Sequence, residues 1–181
     1  MERSDFFRTC ACLMLSAPAL QAFGSTQDDR TAAEIQLAGE RDFIAGWLND
    51  LLSTANTSLD RETMVKLIEG CGKGCYARHK FKQDLAVAGK GSVKNLVEAY
   101  KKNFEAWEEG NKVHIRYGEV SKQCYCPVAK QLPVHEDDLM CECTRATHQT
   151  VFETALGRPV KAIVAESLRR GGKTCHFILT V

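Results

Sequence analysis

The sequence is poor in proline, poor in aromatics and nearly without net charge. Four prolines occur in 181 residues, and Phe, Trp and Tyr together make up 8%. Lys and Arg number 24 against 23 Asp and Glu, a formal charge of +1. A nucleic-acid binder that neutralises phosphates with a strongly cationic face is therefore not expected. No run approaches the roughly 18 consecutive apolar residues of a membrane-spanning helix. The dinucleotide fingerprint, the phosphate loop and the G-x-S-x-G elbow are missing. So is a C-x2-C pair of the thioredoxin type. The acidic residues form no convincing glycosidase-like pair. No internal repeat or low-complexity linker divides the chain, and a hydrophobic share of 44% excludes wholesale disorder. One domain is the natural organisation at this length.

What stands out is cysteine, of which there are nine. Two fall in the first 24 residues, a stretch that reads as a secretory leader. Arg3 and Arg8 precede an apolar run from Cys10 to Leu20, and Ala22-Phe23-Gly24 is a small-x-small cleavage site. Glu2 and Asp5 weaken the leader by cancelling its charge. The sequence thus predicts a leader over 1–24 and one cysteine-rich domain over 25–181. Export, for example to a periplasm, is the expectation, with the cytoplasm as the alternative. The remaining cysteines are Cys71, Cys75, Cys124, Cys126, Cys141, Cys143 and Cys175. Seven is odd, so at least one thiol is free, metal-bound or shared between chains.

Hydrophobic spacing predicts helices in the front half. Leu37, Ile44, Trp47, Leu48, Leu51 and Leu52 repeat at helical intervals. Thr57 and Asp60 have capping-box spacing. A second helix carries Met64, Leu67, Ile68, Cys71 and Cys75 on one face, with His79 one turn further. Gly70, Gly72 and Gly74 near its end signal a close backbone approach, a kink or a termination. Ser92 is an N-cap for a third helix, marked by Val93, Leu96, Val97, Tyr100, Phe104 and Trp107 and ending near Gly110.

After Asn111 the period changes to two. Val113, Ile115 and Tyr117 alternate with His114 and Arg116 as in a strand. A second strand is expected from Val120 to Cys126. Thr144 can cap a helix with His148, Val151, Phe152, Ala155 and Leu156 on its apolar side, stopped by Gly157 and Pro159. Val160 to Glu166 and Thr174 to Val181 read as strands, joined through Gly171-Gly172. Together these predict an α+β fold: amino-terminal helices packed with a small antiparallel or mixed sheet and one further helix.

The cysteine spacing offers several chemistries. Two C-x-C pairs, Cys124/Cys126 and Cys141/Cys143, would each point both sulfurs to one side of an extended strand. Four such thiolates could hold a tetrahedral zinc ion. Cys71 and Cys75, four apart on a helix, could act as nucleophile with His148 or His79 as base. Cys175 shares a face with Phe177 and Leu179, so core packing suffices for it. In an exported protein, disulfides would account for most of the cysteines.

The motif Met64-x6-Cys71-Gly72-x2-Cys75 resembles the cysteine-bearing helix of a group of bacterial and archaeal proteins. These are the 2-aminothiazoline-4-carboxylate hydrolase-like proteins and the vinyl-reductase-type small-molecule-binding domains. The resemblance continues in Cys124-Tyr125-Cys126-Pro127, in Cys141-x-Cys143 and in Phe152-Glu153-x2-Leu156-Gly157-x-Pro159-Val160. It ends with Ser167-x3-Gly171-Gly172-x2-Cys175-x-Phe177-x-Leu179, and covers roughly Glu62 to Val181. It implies an α+β fold in which sheet and helices enclose a small-molecule cavity with cysteines at or near it. Members of the group are variously sensors, accessory domains and hydrolases of cyclic substrates.

Three functions follow as expectations. The first is a small-molecule-binding domain with a cysteine-lined site that could contain zinc. The second is a hydrolase of a small cyclic C–N or C–S substrate, and the third an exported domain crosslinked by disulfides. The expected partner is a small ligand, with no nucleic acid and no transmembrane segment, and a homo-oligomer is compatible with the sequence.

Overall fold

The computed structural model describes residues 31–134 and 138–181. The leader expected over 1–24 lies outside them, as does His135. The chain forms two units, 1–37 and 38–181. Of the first, only 31–37 are described, chiefly the opening of helix α1 (Ala32–Ser58). Among the described residues no helix is long and apolar enough to cross a membrane.

In the second unit, helices α2 (Arg61–Arg78), α3 (Lys80–Ala88), α4 (Val93–Lys101) and α5 (Cys141–Leu156) accompany four strands. These are β1 (Glu105–Glu109), β2 (Lys112–Arg116), β3 (Lys161–Glu166) and β4 (His176–Thr180). They pair in the order β1-β2-β4-β3, antiparallel throughout. The α+β class is as the sequence predicts.

Local chemistry explains the element ends. Asp60 caps α2 by accepting the Thr63 amide at 2.9 Å, and Ser92 caps α4 through the Asn95 amide at 3.2 Å. Thr57 is not part of a capping box; its hydroxyl bonds back to carbonyls within α1. Gly157 closes α5 in the left-handed conformation, with φ of 65°.

The core lies between the sheet and the helices α4 and α5. Val113 and Ile115 of β2 and Phe177 and Leu179 of β4 are essentially inaccessible to solvent. Leu96, Tyr100, Val151 and Phe152 from α4 and α5 are also fully buried. The two-residue period places alternate side chains on this inner face. On the outer face Trp107 stacks on His114 with centroids 4.8 Å apart.

Three expectations are corrected. The third predicted helix stops at Lys101, and Phe104 and Trp107 do not extend it. The chain instead enters β1, where Ala106 pairs with Ile115 across a turn in which Gly110 has φ of 61°. The i, i+4, i+7 spacing of Tyr100, Phe104 and Trp107 was thus shared between a helix and a strand. Residues 120–126 form bends and irregular backbone rather than a strand. Ser121 ties them to the sheet through Thr174, hydroxyl to hydroxyl at 2.9 Å. Finally, α5 begins at Cys141 and not at Thr144, which turns one C-x-C pair from strand into helix.

Candidate functional site: a thiol-lined cavity

The three glycines of α2 do not end it. The helix runs through them to Arg78, and Gly72 shows why one of them is there. A Cβ at Gly72 would lie 2.3 Å from the Cys143 carbonyl oxygen and 2.8 Å from the Ala146 Cβ. Helices α2 and α5 therefore meet backbone to backbone, and the Thr147 hydroxyl donates to the carbonyl oxygens of Gly72 and Cys143. This close approach carries Cys75 toward Cys143.

A second device ties residues 118–134 and 138–140 to the connection between β3 and β4. Arg169 is buried, and its five N–H groups are all used. Nε donates to Asp138 at 2.8 Å and Nη1 to the carbonyls of Ala129 and Leu132. Nη2 donates to the Pro133 carbonyl and again to Asp138. A guanidinium so satisfied can be buried with its carboxylate partner, whereas an unpaired charge there would be very costly. Next to it, Glu142 takes hydrogen bonds from Arg145 and Arg170. Burial resists ionisation of Glu142, yet those two donors outweigh it and hold its carboxyl below the usual range.

These constraints enclose a cavity of about 810 Å³. Six of the seven cysteines expected in the domain line it: Cys75, Cys124, Cys126, Cys141, Cys143 and Cys175. They come from α2, the irregular segment, α5 and the entry to β4. Cys71 is exposed on α2 and does not line it. The volume falls in the range typical of small-molecule sites.

One wall is a buried chain of three rings. The Tyr100 hydroxyl lies 3.1 Å from His148 Nδ1, and the Tyr117 hydroxyl lies 3.1 Å from His148 Nε2. Burial pushes both tyrosine pKa values up. Burial, assisted by the Lys82 charge, pushes His148 down to about 3. All three groups are thus neutral near pH 7. A neutral imidazole has one donor and one acceptor nitrogen, so one tyrosine donates and the other accepts. The accepting tyrosine keeps its own O–H for another partner. Among the described residues neither His148 nitrogen bonds a cysteine, so the structure does not bring the expected base to Cys71 or Cys75. His79 leaves α2 in extended conformation and rests against Phe81, which breaks the stripe it was expected to share.

The partner of Cys75 is instead Lys82, whose Nζ lies 2.7 Å from the sulfur. Interaction between the buried Cys141 and Cys175 thiols pulls Cys175 down to about 7 and raises Cys141. Burial raises Cys124, and it pushes Cys143 up to about 12.

All four cysteines of the expected zinc set, Cys124, Cys126, Cys141 and Cys143, line this cavity. On α5, residues two apart leave the axis roughly 200° apart, so Cys141 and Cys143 lose the common strand face the sequence suggested, although both line the cavity. The Cys141 sulfur is engaged by Ser167 Oγ at 2.9 Å. Among the described residues no group of three or more His, Cys, Asp or Glu is placed to hold a metal ion.

Sequence reasoning did not single out Tyr100, Tyr117, Lys82 or Cys175 for the site. Tyr117 continues the inward series Val113, Ile115, and Cys175 continues Leu179, Phe177; the Tyr117 amide donates to the Cys175 carbonyl at 3.0 Å. The alternation that marked them as inward was legible. That their strands stop short of them, leaving both facing a cavity, was not.

Comparison with protein-family models, with curated proteins and with solved structures finds no match to this chain. Its function is read from its own residues.

Proposed function

We propose that the chain is a small-molecule-binding domain whose ligand occupies the thiol-lined cavity. The observation that carries this reading is the convergence of six cysteines from separate elements on one cavity walled by Tyr100, His148 and Tyr117. Phe81, Phe104, Tyr125 and Phe177 supply further ring surface. Such a lining suits a planar, largely apolar molecule with one hydrogen-bonding group. Tyr117 is the residue to meet that group. Depending on which His148 nitrogen carries the proton, it offers either a donor or an acceptor. Cys75, Cys124, Cys126, Cys141, Cys143 and Cys175 also belong to the motifs that resemble the small-molecule-binding family, which supports the same reading.

A second reading, hydrolysis of a small cyclic C–N or C–S substrate with Cys75 as nucleophile, is favoured by one contact. Lys82 lies against the Cys75 sulfur at the cavity wall, where a cation can also pair with an anionic group of a substrate.

Native mass spectrometry against a panel of planar aromatic compounds tests both. The binding reading expects a non-covalent adduct of one molecule per chain, weakened about tenfold in Tyr117→Phe by loss of one hydrogen bond. A covalent adduct on Cys75 that turns over would favour the hydrolase. No adduct with any member, and identical behaviour of Tyr117→Phe, would refute the binding role.

A further inference from the structure

Cys75 and Lys82 meet at the cavity wall more closely than a hydrogen bond to sulfur requires. Lys82 Nζ lies 2.7 Å from Cys75 Sγ. That is the short end of the range even for N–H···O bonds, and sulfur is a larger acceptor than oxygen. The two residues stand on either side of the corner where α2 ends and α3 begins. His79 makes that corner in extended conformation. Gln83 clamps it, its Nε2 donating to the carbonyls of Tyr76 at 3.3 Å and Ala77 at 2.8 Å. The Lys82 amide donates to the His79 carbonyl at 3.0 Å. The base of the Lys82 side chain is thereby fixed opposite the last turns of α2. Both residues line the cavity and are half-buried, so a small oxidant can reach them. Other cavity thiols have different neighbours. Cys126 Sγ accepts the Ala129 amide at 3.5 Å, and Cys141 Sγ lies 2.9 Å from the Ser167 hydroxyl.

We infer that Cys75 and Lys82 are a modification site, joined by hydrogen peroxide into a covalent S–O–N bridge. A direct S–N bond would need the two atoms to close by a large part of their separation, whereas one oxygen atom between them spans it. A first peroxide transfers one oxygen to the Cys75 sulfur, giving sulfenic acid and water. A second transfers one oxygen to the deprotonated Lys82 amine, giving a hydroxylamine and water. The hydroxylamine oxygen then attacks the sulfenyl sulfur. An S–O bond forms, the S–OH bond breaks, and hydroxide leaves as water with the hydroxylamine proton. In sum, one thiol, one amine and two peroxides give one bridge and three waters. Sulfur and nitrogen together lose four electrons, which the two peroxides gain.

The bridge fastens α2 to α3 and takes a thiol and a cation from the cavity wall. A bridged Cys75 has no thiol with which to attack a substrate. The modification goes beyond the binding reading and does not rest on it, since the bridge forms or fails whatever the cavity holds.

The reduced full-length protein is treated with hydrogen peroxide, alkylated with N-ethylmaleimide, digested with trypsin and mapped by mass. The expected product joins peptide 74–78 to the peptide that starts at residue 81 and is uncut after Lys82. It has gained one oxygen and lost two hydrogens, and dithiothreitol returns it to the free thiol and amine. In Lys82→Arg, which keeps the positive charge, Cys75 is expected to stop at sulfenic or sulfinic acid with no link. In the unmutated protein, a link lacking the oxygen or a Cys71–Cys75 disulfide as first product overturns the inference. So does an unmodified Lys82 beside Cys75 that is either intact or oxidised to sulfinic acid. These outcomes are read on the unmutated chain and hold even where the variant fails to fold. An oxygen-containing link from Cys75 to residue 82 in Lys82→Arg overturns the inference equally.

Discussion

The Thr147 hydroxyl lies 3.0 Å from the carbonyl oxygen of Gly72, although the two residues are 75 positions apart in the chain. The bond spans the place where α2 and α5 touch without a side chain between them. It makes Gly72 a position of known steric limits.

Gly72→Ala puts a methyl group where the Cys143 carbonyl stands 2.3 Å away. Helix α2 must move off α5, with an expected loss of about 1–3 kcal/mol by overpacking, which outweighs the gain of roughly 1 kcal/mol in helix propensity. Urea denaturation measures it. Gly70→Ala is the comparison, since no atom lies within 4 Å of a Cβ there, and it should stabilise. Equal effects from the two variants would contradict a tight contact at Gly72.

Asp138→Asn should cost about 3–5 kcal/mol, the usual result of removing one charge from a buried pair. Arg169 is 3% exposed, and its lost partner cannot be replaced by solvent. Arg169→Lys is not a conservative repair, because one ammonium cannot reach Asp138 and three carbonyls in the guanidinium's planar fork. Both variants should release residues 118–134, seen as faster alkylation of Cys124 and Cys126. Unchanged alkylation would show that the Arg169 network does not hold the segment.

Acid should destabilise the protein through His148. Its folded pKa is about 3, against an ordinary value of 6.5. Between these values the unfolded chain binds a proton that the folded chain refuses. Stability rises with pH across that window, so it is fully present above about pH 6.5 and declines as the pH falls toward 3. The slope from this group is at most about 1.4 kcal/mol per pH unit. His148→Gln has no such titration and should flatten the stability curve between pH 6.5 and 4. A curve of the same slope in both proteins would mean that His148 is protonated in the fold.

These residues also show where reading the sequence succeeded. Val113, Ile115 and Tyr117 announced β2 by alternation, and Ser92 and Gly157 marked helix ends, because backbone sterics and capping chemistry act over a few neighbours. The same locality misled at Phe104 and Trp107. Their spacing suited a helix, but pairing of Ala106 with Ile115 across the Gly110 turn decided for a strand.

The sequence by itself determined the α+β composition, the inward faces of its elements and the close spacing of its cysteines in pairs. Each follows from periodicity and residue type within a dozen positions. Only the tertiary structure decided which cysteines meet. Cys141 and Cys143 open a helix rather than a strand, with the Cys141 sulfur on Ser167 and the Cys143 backbone against Gly72. The absent Cβ at Gly72 and the five hydrogen bonds of Arg169 then brought four distant segments around one cavity. Contacts of that kind depend on packing between residues far apart in the chain, and spacing along the sequence carries no record of them.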